Sequence, residues 1–377
     1  MTQRRAQVRD VAKIAGVSSA TVSRYLNGKL RVTPKVEERI RAAVVMLSYT
    51  PHSIARTLAT GNSQVIGLIV PDIANPFFAE MAEAVESVAY EHDYKVMLCN
   101  TKNDAKREEH YIQLILNQQV AGLIYMGAFR SNPYLSRVSE LGLPFVIVDE
   151  EVDAVQAARV FVDNYGGAHM IVQHLLEYGH QHIAFLGGPN ELFTTQERYR
   201  GYLDACSGAG IPIRETDTSF GTYTLESGRQ NGERILSMDN RPTAVFASSI
   251  SLVLGFLTAA KERSVRVPYE ISVVGFDDVA MAKFLSPALT TVAQPTLQLA
   301  TTAFEMLLTL IAKPATPYRR VILPVSLAVR DSVSTPAPRA PPDRLTVSGE
   351  LQVPARMWNA QPCAMSLSIY KHYIRRM

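Results

Sequence analysis

Cysteine is scarce in this 377-residue chain: Cys99, Cys206 and Cys363 are the only three, and they stand far apart. An odd, dispersed set excludes a disulfide framework, and no Cys-x-x-Cys pair is present to hold structural zinc. Long apolar runs are missing as well. No stretch approaches the roughly 18 to 20 apolar residues that a membrane span requires. The opening Met1-Thr2-Gln3-Arg4-Arg5 leads into no signal-peptide core, so a cytoplasmic protein is expected. The patterns GxGxxG, GxxxxGK[ST] and GxSxG are absent, which removes any handle for nucleotide binding or serine-hydrolase chemistry. No catalytic residue, cofactor or metal is therefore assigned, and enzyme activity is not expected. What remains is ordinary globular composition: 47% hydrophobic and 19% charged residues, enough for a substantial core.

The net charge of +3 is unevenly spread. Residues 1–62 carry 11 Lys/Arg against 3 Asp/Glu, a balance of +8. Residues 63–332 carry 21 against 30, a balance of −9, and residues 333–377 carry 6 against 2, or +4. A small basic head on an acidic body predicts a polyanion partner for the head alone.

Helical periodicity starts within the head. Val8, Val11, Ala12 and Ala15 share one stripe, and Asp10 lies in the first turn, where the helix dipole favours an anion. Gly16 suits a left-handed helix end, and Ser18 can cap the next helix, whose Val22 and Leu26 face inward. Two short helices joined by a Gly-containing turn form a helix-turn-helix, whose second helix enters the major groove. Thr33, Pro34, Glu37 and Glu38 announce a third helix with the stripe Val36, Ile40, Val44 and Leu47. Beyond it, Thr50 and Pro51 can open a further helix of about two turns, marginal on its own because nucleation is costly.

The segment Val8-Arg-Asp-Val-Ala-Lys-Ile-Ala-Gly-Val-Ser-Ser-Ala-Thr-Val-Ser-Arg-Tyr-Leu-Asn27 resembles the DNA-binding signature of the lactose/galactose repressor (LacI/GalR) family. The resemblance implies that Ser19, Ala20 and Arg24 face base edges, while Thr21 and Ser23 meet phosphates. Arg24 has the fork to engage guanine O6/N7, and Ala20 can touch a thymine methyl. It further implies that the segment after Tyr49 is a hinge helix that folds on operator DNA. Leu58 would be the apolar wedge that unstacks a minor-groove base step, with Ala55 one turn earlier on the same face.

From Val65 short apolar runs alternate with helical segments. Strands are predicted at Val65–Val70, Lys95–Cys99, Ala121–Tyr125, Phe145–Val148, Ile183–Leu186, Ala244–Ala247 and Ile271–Gly275. Their spacing is that of βαβ units, hence parallel sheets with helices on both faces, in two similar halves. Four further segments resemble the effector domain of the same family, which is similar to periplasmic sugar-binding proteins. They begin at Ile66, Tyr178, Pro268 and Pro287 and run to Phe78, Gly188, Asp278 and Pro295.

Open α/β sheets bind ligands beyond the carboxyl ends of their strands. That rule selects Asp72, Phe77 and Phe78 after the first strand, Asp277 after the strand ending near Phe276, and Thr194 and Arg198 beyond Gly188. Arg198 and Asp277 match family positions that hydrogen-bond the effector; an Arg fork and a carboxylate pair suit vicinal hydroxyls. The alternative for these two is an ion pair inside the lobe, and for Phe77 and Phe78 an ordinary core position. Tyr223 offers stacking surface. Two departures from the family count against a purine effector: Ala247–Leu252 offers serines and an isoleucine where relatives carry acidic or amide groups, and Leu192 and Phe193 stand where a purine-responsive relative is polar. His180-Gln-His182 has the spacing of a metal pair on a strand but no third ligand.

The expected organisation is a helix-turn-helix domain at 1–49, a hinge and linker at 50–62, and a two-lobed α/β body at 63–332. Within the body the N-lobe takes 63–164 and 294–323, and the C-lobe 165–293 and 324–332. Residues 333–377 form a proline-rich extension expected to lack order, with four prolines in Ser334–Pro342. The expected function is a homodimeric transcription repressor on a near-palindromic operator, controlled by a sugar or polyol in the cleft. The alternative is a sugar-binding protein with no regulatory role, which the basic head opposes.

Overall fold

The computed structural model of the chain describes residues 6–26, 30–49, 63–118, 120–127, 129–153 and 155–337. The head contains α1 (Val8–Ala15), α2 (Ser19–Leu26) and α3 (Pro34–Met46). Gly16 ends α1 at φ +64°, its N–H returning to the Ala12 carbonyl. Ser18 Oγ accepts the Thr21 N–H at 3.0 Å and so caps α2. Thr33 occupies the cap position of α3 in extended conformation, yet its side chain makes no capping bond. Pro34 opens that helix instead, its ring pre-setting φ. Val11, Ala12, Ala15, Val22, Ile40 and Ala43 close a small core of their own.

The body is built from β1 (Val65–Val70), α4 (Pro76–Glu91), β2 (Lys95–Asn100), α5 (Ala105–Asn117), β3 (Gly122–Tyr125), α6 (Pro133–Glu140), β4 (Phe145–Val148) and β5 (Ala158–Val162). It continues with α7 (Asn164–Glu177), β6 (Ile183–Gly187), α8 (Phe193–Gly208), β7 (Thr218–Phe220), α9 (Leu225–Leu236), β8 (Ala244–Ala247), α10 (Ile250–Glu262) and β9 (Ser272–Phe276). The last elements are β10 (Thr290–Ala293), α11 (Thr296–Ala312), β11 (Arg320–Leu323) and β12 (Ser326–Ala328). They form two six-stranded sheets, ordered β11-β5-β4-β3-β1-β2 and β12-β10-β9-β8-β6-β7. The first is parallel throughout. The second is parallel except at its edge, where β12 runs antiparallel to β10, a departure from the all-parallel expectation. The reason is connectivity: β12 follows β11 of the other sheet directly, with no crossover helix to turn it round.

The chain passes between the lobes three times, at 162–164, 293–296 and 323–326. Helices cover both faces of each sheet, so β3, β4, β6, β8 and β9 are buried along their whole length. That double cover explains why these strands read as unbroken apolar runs rather than alternating ones. One core cluster, including Phe77, Val148, Phe185, Phe276 and Phe304, draws residues from both lobes.

Glycines set the approach of α9 to α10. A methyl at Gly255 would overlap the Leu225 carbonyl oxygen and the backbone at Arg229 and Gly228. Gly255→Ala is expected to lower body stability by roughly 1–3 kcal/mol, the usual cost of overpacking. Thermal melting of the two proteins measures this, and an unchanged midpoint would refute it.

Candidate functional site

In the head, the outward face of α2 carries the predicted base-reading residues. Ser19, Ala20 and Arg24 are exposed, while Val22 on the opposite face is buried against α1 and α3. Thr21 is half-buried, and its hydroxyl lies 2.8 Å from Ser18 Oγ, so it shares in the cap; Ser23 is half-buried. Glu37 pairs with Arg41, whose Nε–H donates to Tyr25 OH at 3.1 Å. The hinge positions Ala55 and Leu58 lie outside the described residues.

In the body, the polar residues converge where the lobes meet. Asp149 follows β4 at φ +70° and Asp277 follows β9 at φ +78°. A left-handed non-glycine residue at a strand end is a local cost of order 1 kcal/mol, of the kind that gathers at functional sites. Arg198 stands on α8 and is buried. Its Nε–H donates to Asn164 Oδ1 at 2.8 Å, and Nη1 donates to the Ser248 carbonyl at 2.6 Å. Its guanidinium lies over the Phe276 ring, 3.7 Å from the centroid, a desolvated cation–π contact. Asp277 accepts from Gln294 Nε2 at 2.6 Å and from the Ile250 N–H at 3.4 Å. No contact ion pair joins Arg198 to Asp277; the guanidinium acts on this carboxylate through space, and burial raises the Asp277 pKa against that pull. The adjacent Asp278 is committed elsewhere, held by both Nη atoms of Arg330 at 2.6 and 2.8 Å.

Burial pushes the Asp149 carboxyl up to about 6, with Arg198 opposing and Asp277 adding to the rise. Its Oδ1 is buried with no hydrogen-bond partner, as is Gln294 Oε1. Glu150, beside it, is raised to about 7 by burial and by the Asp149 charge. A buried acceptor without a partner at Asp149, within the field of a buried guanidinium, and another on Gln294 beside Asp277 make a site able to receive donors.

The other predicted residues distribute as follows. Thr194 Oγ1 donates to Glu150 Oε2 at 2.9 Å, and Tyr223 OH lies 2.7 Å from Thr195 Oγ1; both are in reach of the network. Phe77 is part of the core, with Phe78 packed edge-on at 5.1 Å between centroids, in keeping with the core alternative. Asp72 sits outside the network: Oδ1 accepts from Lys102 Nζ at 3.0 Å and from the Ala74 N–H at 3.2 Å. Asp149, Glu150, Asn164 and Gln294 were not selected from sequence. The strand-end rule, applied to Phe145–Val148, would have found the first two. The histidines go separate ways, His180 to Thr243 Oγ1 and His182 to Asp217, each at 2.9 Å. Among the described residues no group of three or more His, Cys, Asp or Glu gathers as metal ligands.

A helix-turn-helix head on a two-lobed, three-crossover α/β body defines a DNA-binding regulator built on a binding-protein scaffold. Comparison with known proteins makes the class specific. Residues 7–52 match the model for bacterial regulatory proteins of the lacI family, and residues 172–333 match the periplasmic binding protein-like domain. The HTH-type transcriptional repressor PurR of Pectobacterium carotovorum is 37% identical over 80% of this chain and 89% of its own. A solved structure of the transcriptional regulator CelR with cellobiose is 30% identical, with TM-score 0.66, covering 87% of this chain and all of the other. The lac repressor dimer bound to operator and the anti-inducer ONPF is 27% identical, with TM-score 0.77, covering 88% of this chain and all of its own. The chain belongs to the lacI family of bacterial regulatory proteins: it is a DNA-binding transcription regulator, and these relatives are regulators rather than enzymes. No described helix is long and apolar enough to cross a membrane.

Proposed function

We propose that the protein is a transcriptional repressor acting as a homodimer in the cytoplasm, with no catalytic role. A head at 1–49 and a linker at 50–62 read a near-palindromic operator, and a body at 63–332 takes a sugar or polyol between its lobes. Arg198, Asp277 and Asp149 hold the effector's hydroxyls, with Thr194 and Tyr223 at the edge of the site; Asp72, Phe77 and Phe78 are left to structure. The observation that carries the reading is the pair of buried, unpartnered acceptors, Asp149 Oδ1 within the field of Arg198 and Gln294 Oε1 on the amide that holds Asp277. A hydroxylated ligand supplies the missing donors.

Operator control then follows from linkage. An effector that closes the cleft must bind the DNA-bound and DNA-free states with different affinity, and by the same factor it changes the affinity for operator. Base reading falls to the exposed face of α2, with Ala20 and Arg24 one turn apart. Titration of the full chain onto operator and scrambled duplexes at several salt concentrations tests this. Arg24→Ala is expected to weaken operator binding by about 1–3 kcal/mol, roughly 5- to 150-fold, and to change scrambled-duplex binding far less. Equal losses on both duplexes would reduce Arg24 to a phosphate contact. Binding that failed to weaken with salt would sink the DNA-reading assignment itself.

A further inference from the structure

Six helices of the body carry their own N-cap. Asn75, Asp104, Asn132, Asp163, Thr224 and Ser249 each accept a backbone N–H from the first turn that follows. Two do not: α11, which follows Pro295, and α8, which bears Arg198 and whose cap residue Leu192 has no side-chain acceptor to offer. The missing acceptor comes from the opposite lobe. Glu150, at the end of β4, takes the Phe193 N–H on Oε1 at 2.6 Å and the Thr194 hydroxyl on Oε2 at 2.9 Å. The carboxylate is itself buried. Around it the same rim is bridged twice more, by Arg130 Nη1 donating to Gln196 Oε1 at 3.1 Å and by the Phe161–Phe193 ring contact. On the other rim, among the described residues, the Ala280 N–H donates across the lobes to Glu80 Oε1 at 2.9 Å, and α4 approaches α10.

We propose that Glu150 is the positioning residue of the cleft: carried on the N-lobe, it caps the C-lobe helix that holds Arg198 and latches the lobes together. The inference rests on the reading of that cleft as the effector site. Opening the cleft strips α8 of its cap and returns both donors to water, while closing restores the two hydrogen bonds at the helix N-terminus. Arg198 lies five residues along the same helix, so the contact that closes the cleft also fixes the guanidinium that receives the effector. The alternative, a cap that serves only local helix stability, differs in one respect: it predicts nothing at the far rim.

Hydrogen exchange on the full-length, ligand-free protein separates the two, because amide protection reports the opening that exposes each bond. In Glu150→Ala, exchange at residues 193–196 is expected to rise by about tenfold or more, and exchange at Ala280 to rise with it. Glu150→Gln keeps an acceptor for the Phe193 N–H and is expected to stay close to the parent at both places. Thr224→Ala removes a cap within one lobe and is expected to loosen α9 alone. Unchanged exchange at 193–196 in Glu150→Ala overturns the proposal, and so does a rise confined to α8. A rise at Ala280 in Thr224→Ala overturns it as well, since general loosening then explains the far rim. Should Glu150→Ala fail to fold, Thr194→Val removes one of the two bonds and is expected to raise both segments by a smaller factor. No sugar enters this experiment, so its failure is distinct from failure of the effector reading.

Discussion

Arg198→Ala is expected to abolish stabilisation by any effector and to weaken the body by roughly 3–5 kcal/mol, the usual cost of removing one partner from a buried charge cluster. The size follows from what the guanidinium does. It is buried, donates to Asn164 on the first crossover and to the Ser248 carbonyl, and covers the Phe276 ring. It is also the cation that opposes the charges of Asp149 and Asp277. Its loss leaves both carboxyls unopposed in a low-dielectric site. Arg198→Lys separates the two effects, because an ammonium keeps the charge and loses the planar fork. Melting curves of parent, Arg198→Ala and Arg198→Lys, with and without a panel of sugars and polyols including cellobiose and ribose, make the test. The lysine protein is expected to recover part of the stability and none of the ligand shift. A sugar that stabilised the parent and shifted Arg198→Ala equally would exclude Arg198 from the effector site.

Glu108→Gln is expected to flatten the pH dependence of body stability, with its largest effect above neutrality. Glu108 on α5 is buried, its Oε1 accepting the Tyr125 hydroxyl at 2.7 Å and the Asn132 amide, while Oε2 has no partner. Burial raises its pKa from 4.5 to about 7, with the Tyr125 bond pulling the other way. The folded value lies above the unfolded one. The contribution is therefore fully present below about pH 4.5 and is lost as pH rises through 7. The loss amounts to roughly 3 kcal/mol at 1.36 kcal/mol per unit. Asp149 and Glu150, raised to about 6 and about 7, add to it with the same sign. Melting midpoints between pH 5 and 8.5 should fall more steeply for the parent than for Glu108→Gln. Parallel profiles would mean that Glu108 does not take up a proton on folding.

Which parts were legible in sequence follows a physical pattern. Buried central strands such as Val65–Val70 and Phe145–Val148 stood out because a sheet covered on both faces demands continuous apolar residues. The edge strands β7, β11 and β12 did not, Arg320–Leu323 showing one buried residue in four and Ser326–Ala328 none; nor did the short central strands β5 and β10, although they are largely buried, while the edge strand β2 did. Helix α11 is not among the helices read from sequence, although its apolar Thr296–Ala312 run buries Leu299, Ala300, Ala303, Phe304, Leu307 and Leu310 at helical spacing. Asn164 and Gln294 belong to the site because the chain changes lobe beside them, and no local pattern marks either side chain as a site residue.

The acidic pair Asp277-Asp278 marks the boundary of sequence reasoning sharply. Both follow β9 and both are carboxylates, yet Arg330 engages the second bidentately while the first turns left-handed toward Arg198 and Gln294. Only an arginine more than fifty residues later in the chain decides between them.

By itself, the sequence determined the head, the charge division and the βαβ character of the body. Each is written in consecutive residues, where helix caps, turns and 3.6-residue periodicity act over a few bonds. Tertiary structure alone decided the cleft. Asp149, Arg198 and Asp277 are supplied by separate strands and helices of two lobes, and their pKa shifts, their missing partners and the cross-lobe cap from Glu150 exist only once folding removes water from between them.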